Sequence, residues 1–255
     1  LGKGFELKAY VPPTGKNPTD LLFHDMFDTE VRSLFGQYSV DLSDVTELSI
    51  EARYDRESRS VDNLVPPVAA ALYYGGGDPI NPAMASVGDT IDSRSTTFDQ
   101  FQPKFSITTN AGNTSYYASY GYGFRSGGFN STGSAATTDF WLNSGNPFGL
   151  GVVGAGISVN DEFDKEVSRA FEVGFKGTYL DGRLAMNGAY FNTNVTDNQF
   201  FEFFAGPWGL LRVVTTIDEL DISGYELDFK YAVTDNLKID GAFGITDGEI
   251  KENAH

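Results

Sequence analysis

What most constrains this chain is the spacing of its breaks. From Ser33 onward, stretches of alternating apolar and polar residues are joined by connections that run short, long, short, long, short, variable, short. The short breaks are Ser43–Asp44, Asn110–Asn113, Asp181-Gly182 and Thr234–Asn236, and the long ones are Arg59–Thr97 and Arg125–Lys165; Gly206-Pro207 makes a further turn. Asp-Gly between alternating runs is a strong hairpin signal. Outer-membrane barrels have short turns at the periplasmic end and long loops outside. A soluble two-sheet sandwich has no reason to gather its long loops at one end. The spacing predicts a transmembrane antiparallel β-barrel wall of about eight strands, most near or above the ~9–11 residues that cross a bilayer. It also predicts that Arg59–Thr97 and Arg125–Lys165 lie outside the cell.

Alternation within the runs says which face meets what, because side chains in a strand change sides at every residue. In Ser115–Arg125, Tyr116, Ala118, Tyr120, Tyr122 and Phe124 share one face, and Tyr117, Ser119, Gly121, Gly123 and Arg125 the other. Taken alone, that strand fits a barrel wall or the core of a sandwich equally well. Elsewhere the second face is charged: Glu51 and Arg53 in Thr46–Ser58, Glu172 and Lys176 in Glu166–Leu180, Glu226, Asp228 and Lys230 in Ser223–Val233. A charged face suits a water-filled lumen. We therefore expect Phe171, Val173, Phe175, Tyr225, Leu227 and Phe229 to face lipid. Strands are also expected at Ser33–Leu42, Phe98–Thr109, Arg183–Phe204 and from Leu237 onward, with a short turn of helix at Leu21–Phe27.

Three segments resemble a known family. YASYGYGFRSGGFN at Tyr117–Asn130 is similar to an aromatic strand and its following loop in TonB-dependent outer-membrane receptors. Glu166–Gln199 resembles their next hairpin, and Asp221–Thr234, with ISGYELDFKYAVT, a later strand of theirs. The three occur in the family's order and span roughly the last two thirds of the chain. The resemblance implies that residues 1–255 are one partial barrel domain, an incomplete segment of a barrel of about 22 strands closed around a plug. The plug and TonB box are then expected before Leu1 and the closing strands after His255. It further implies a Gram-negative outer-membrane location, contact with membrane lipid, and energy received from the TonB complex. The cargo implied is a scarce large nutrient, most often a ferric siderophore, otherwise cobalamin or a glycan. Two rival readings are a passive porin, which lacks the plug, and a secreted glycan-binding β-sandwich.

Composition closes off other functions. The net charge of −17 argues against nucleic acid as a partner, since phosphate contacts need a basic face. There is no Cys, and His24 and His255 are the only imidazoles, so neither a thiolate nor a multi-histidine metal site can be built. No Ser/His/Asp or Cys/His constellation can be assembled; we expect no enzyme activity and no cofactor. The glycines at Gly121, Gly123 and Gly127 lack the helix a nucleotide fingerprint needs. The acidic clusters at Asp161–Glu166 and Asp218–Asp221 lack EF-hand spacing. What remains are aromatic and cationic residues in or beside the long loops, which can hold a flat or anionic ligand. The candidate ligand residues are Tyr73, Tyr74, Arg125, Phe129, Asn130, Trp141 and Trp208. Phe201 and Phe203 are expected in an aromatic girdle at the lipid interface.

Overall fold

The structure is a computed structural model that describes residues 23–65, 81–84, 86, 89–143, 156–206 and 209–252. Eight long strands form one antiparallel sheet. They are β1 (Asp25–Ser43), β2 (Thr46–Asn63), β3 (Arg94–Ala111), β4 (Thr114–Arg125), β7 (Glu166–Tyr179), β8 (Leu184–Gly206), β9 (Gly209–Thr234) and β10 (Leu237–Glu252). Each pairs with its chain neighbour, in the order β1-β2-β3-β4-β7-β8-β9-β10. The sheet is open: among the described residues β1 pairs only with β2, and β10 only with β9. Between β4 and β7 the chain forms a small second sheet of β5 (Gly128–Phe129) and β6 (Glu162–Phe163), a short helix α1 (Ser134–Thr138) and one π-turn at Asp139–Asn143.

The short turns fall where the sequence puts them. Gly112 sits at φ +60° and Gly182 at φ +86°, a conformation that glycine adopts without steric cost. The register then carries the apolar face across the whole sheet. Tyr116, Phe175, Gly188, Leu227 and Phe243 form one cross-strand row, and Ala118, Val173, Tyr190, Tyr225 and Ile245 the next. Because pairing is continuous, no strand can slip by one residue without turning its charges into that face. Several glycines stand directly opposite aromatic rings, as in Tyr117↔Gly174, Phe175↔Gly188, Phe191↔Gly224 and Phe229↔Gly241. At Gly224 an added Cβ would lie 2.3 Å from the Ile245 carbonyl and 2.5 Å from the Phe191 ring, so that contact requires glycine.

Two expectations are corrected. Asp25–Phe27 opens β1 rather than a helical turn, held by the pairs Asp25↔Asn63 and Phe27↔Val61; Leu21 and Leu22 lie outside the described residues. The connection Arg125–Lys165, read as one long loop, contains β5, β6, α1 and the π-turn. Strands β1, β2, β3 and β9 are also longer than the alternation indicated. One seam interrupts the wall. The β3–β4 ladder ends at Lys104↔Gly121, beside Pro103, which has no N–H for a ladder, while β3 continues to Arg94 paired with β2 alone.

Candidate functional site: an extracellular lobe above a lipid-facing wall

The aromatic face of the wall is uncovered. Phe101 is 56% exposed, Tyr225 61% and Phe243 60%, and among the described residues no second layer packs on them. The buried apolar residues Val61, Val65, Met84, Phe98, Phe129, Val159, Val195, Leu211 and Val213 all lie toward the long-loop end. A sandwich would bury the aromatic face instead. Cations mark both limits of the band. At the long-loop end the Arg169 guanidinium lies 5.9 Å over the Tyr122 ring. At the short-turn end Arg183 lies 5.8 Å over Tyr231. From Arg169 to Tyr179 is ten residues of β7, about 33 Å at ~3.3 Å per residue. Tilted by ~45°, that gives a height of about 23 Å, close to the ~25 Å apolar band of outer-membrane barrels. Among the described residues no helix is long and apolar enough to cross a membrane.

The opposite face is polar and internally paired. Arg53 Nε donates to Asp55 at 2.6 Å, and Ser33 and Gln102 donate to the same carboxylate. Lys104 meets Glu51 at 3.2 Å, Tyr117 donates to Glu172 at 2.6 Å, and Asn187 donates to Asp228 at 2.9 Å. These groups fit an aqueous interior, where charge keeps most of its solvation.

Above the band, the β4–β7 connection folds into a lobe tied to strands on both sides. Asn130 donates through Nδ2 to the carbonyls of Asn160 (2.8 Å) and Val214 (2.9 Å), and its Oδ1 accepts from Val214 N–H at 2.7 Å. The Asp161 carboxylate accepts the backbone N–H groups of Gly133 and Ala135. Asp25 at the start of β1 accepts from Thr132 N–H at 2.9 Å. Gln199 donates to the carbonyls of Ser126 and Asp164. An apolar cluster of Val159, Leu211 and Val213, with Ile157, Leu142, Phe204 and Phe23 against it, fixes the far side. Here β8 and β9 extend past the band. Asp197, three residues beyond Asn194, has φ +54°. Burial first, then the neighbouring charges of Asp164 and Asp218, push its carboxyl pKa up.

The candidate ligand residues part company in this lobe. Arg125 ends β4 on the lumen-side face, exposed, with no hydrogen bond or ion pair among the described residues. Phe129 is buried under Arg94, whose guanidinium lies 5.1 Å from the ring centre. Asn130 is buried, with its amide committed to backbone. Tyr73, Tyr74, Trp208 and the side chain of Trp141 lie outside the described residues. The girdle position expected for Phe201 and Phe203 is corrected. Asn194 is the partner of Arg169, so these rings stand about 23–30 Å further along the strand. They meet edge to face at 5.5 Å, with Arg212 5.2 Å from the Phe201 ring, on an exposed surface of the extension. The sequence reading missed Arg94, Gln199 and Arg212, and it named Asp161 only as loop charge. Arg212 had a local signal, since a cation in an aromatic hairpin arm is uncommon; the others act through partners distant in sequence.

Solved structures share this fold. The ferric yersiniabactin uptake receptor FyuA from Yersinia pestis matches with a TM-score of 0.56 at 15% identity, over 90% of this chain and 28% of its own. The copper transporter OprC matches with a TM-score of 0.57 at 20% identity, over 88% of this chain and 30% of its own. The ferric-catecholate import receptor Fiu from E. coli matches with a TM-score of 0.56 at 18% identity, over 90% and 29%. The chain thus spans less than a third of the length of these proteins. Its sequence matches the model of the family described as TonB dependent receptor-like, beta-barrel over residues 3–254. An uncovered apolar wall between two cationic rims, a polar inner face and a family match over almost every residue agree, and the chain belongs to the TonB-dependent receptor β-barrel family of the Gram-negative outer membrane.

Proposed function

We propose that this chain is part of the wall and mouth of an active-transport receptor that imports a scarce nutrient, a ferric siderophore above all, using energy from TonB. The observation that carries the reading is the built lobe above the membrane band: a transport wall needs only strands, whereas this one holds a folded, hydrogen-bonded body at its extracellular end. Arg125 offers an uncommitted guanidinium at the rim of that body, suited to an anionic or flat chelate. Tyr73, Tyr74, Trp141 and Trp208, which the sequence puts in the extracellular connections, are proposed to share the contact. Phe129 and Asn130 serve it by holding the lobe. The plug, the TonB box and the remaining strands belong to the full-length protein outside this chain.

The test is uptake by the full-length receptor in cells lacking their own siderophore receptors. Growth under iron limitation should require both the receptor and an intact TonB, and Arg125→Ala should raise the ferric-siderophore concentration needed about tenfold. Uptake that persists without TonB would establish the passive porin instead.

A further inference from the structure

We propose that the lipid-facing wall holds one phospholipid of the periplasmic leaflet, its phosphate on Arg183 and an acyl chain in a shallow hollow lined by Tyr116, Phe175, Leu227 and Phe243. The hollow has a volume of about 530 Å³. It lies along the row Tyr116–Phe175–Gly188–Leu227–Phe243, where the Phe175 ring leans over the glycine and forms part of the hollow's lining. The tilted pair Tyr190 and Tyr225, with ring centres 4.9 Å apart and planes at 45°, bounds it on the long-loop side. Tyr116, Val173, Phe175, Leu227 and Phe243, which line it, belong to the face that meets lipid.

The cation is placed to go with it. Arg183 is exposed at the periplasmic turn and stacks on Tyr231, a residue of the lipid-facing set. Nε donates to the Ala232 carbonyl at 3.0 Å and Nη2 to that of Val233, which fixes the guanidinium against the end of the wall. Nη1 has no partner among the described residues, and its two N–H groups remain for a phosphate oxygen. The separation agrees. Arg183 precedes Gly188 by five residues, about 16 Å along the strand. At ~45° of tilt that is about 12 Å of depth, half of the ~25 Å apolar band and so the reach of one leaflet's chain. A lipid of the outer leaflet has its headgroup at the Arg169 end and cannot make both contacts.

The experiment is native mass spectrometry of the full-length receptor, extracted in mild detergent and exchanged until bulk lipid is gone. The wild type should retain one glycerophospholipid. Arg183→Gln removes the phosphate contact and Leu227→Trp fills the hollow, so each should cut retention at least fivefold. Folding is checked by heat-modifiable gel migration, and the second variant stands if the first does not assemble. Arg169→Gln, at the other rim, should retain the lipid as the wild type does. Retention unchanged in a folded variant, a lipid A in place of the phospholipid, phosphate bound without chains, or no retained lipid would each overturn the proposal.

Discussion

Replacing Asn130 with alanine should release the lobe while leaving the wall intact. The side chain is 5% exposed and makes three hydrogen bonds at 2.7–2.9 Å. Each is worth about 1 kcal/mol net, and the Val214 N–H left without a partner costs about 1–3 kcal/mol where water cannot reach it. Water entering the space of the lost amide repairs part of this, so the net loss is about 3 kcal/mol. At ~1.4 kcal/mol per tenfold, the lobe should open about a hundred times more often. Hydrogen exchange of the full-length receptor reads this directly, because a locally opening amide exchanges in proportion to its open population. Peptides covering Val214 and Gly128–Thr138 should exchange about a hundredfold faster in Asn130→Ala, with Val173 in the band unchanged. Asn130→Asp keeps the acceptor for Val214 but sets a carboxylate against two carbonyl oxygens, so it should be at least as damaging. A change below threefold at Val214 would refute the clamp.

Three further outcomes follow from the geometry. Phe175→Arg puts a charge near the middle of the lipid-facing band and should cost about 2–4 kcal/mol in urea-driven unfolding from lipid vesicles. Lys176→Gln, on the lumen side 5.5 Å over the Tyr117 ring, should cost less than about 1 kcal/mol; the reverse order would invert the facing of the wall. At Asp197 the raised carboxyl pKa means that the native lobe binds the proton more tightly than the unfolded chain does. Ionisation therefore destabilises the lobe as pH rises from about 4 through the folded value, and the penalty is absent below that window. Asp197→Asn, which tolerates the same positive φ, should slow exchange of the lobe at pH 7 and lose that advantage toward pH 4; an equal effect at both would exclude charge as the cause. An epitope tag at Gly76 should be reached by antibody on intact cells, and labelling only after permeabilisation would reverse the orientation.

The wall was legible because lipid and water impose opposite demands on alternate residues. Where both faces meet water, that signal disappears. Asp28–Arg32, Arg59–Asn63 and Arg94–Thr97 are strand by register alone, and their mixed charges read as irregular chain. Leu21–Phe27 looked helical because its apolar residues suit that period, but pairing with Val61–Asn63 overrode a weak local preference. The lobe was hidden for another reason. Its Gly, Ser and Asn content is that of a loop, and what orders it is Asn130 with Val214, Gln199 with Ser126 and Thr132 with Asp25. Such pairs leave no periodicity in the sequence. For the same reason Asn130 was read as a ligand contact from its place beside an aromatic strand, while its amide is spent on the fold. The exposure of Arg125 at the end of β4 was legible, because a strand end needs no distant partner to leave a side chain in water.

The lobe also completes the wall that carries it. Beyond Lys104↔Gly121 the edge of β3 that faced β4 has no ladder, and an open edge of unpaired N–H and C=O groups is a liability. Lobe side chains supply what the ladder does not. Lys165 Nζ donates to the Asp99 carbonyl at 2.5 Å and to Gln100 at 3.0 Å, and Thr96 donates to Glu162 at 2.7 Å. Phe98 is buried against Gly127, where an added Cβ would lie 2.4 Å from its ring and from the Phe163 carbonyl. The glycine allows the lobe to come that close. Backbone ladders hold β2 to β3 and β4 to β7, but at this one seam the wall is closed by side chains that belong to the body above it. A movement of that body on ligand binding would thus bear directly on the β3–β4 seam, where side chains of the lobe stand in for the missing ladder.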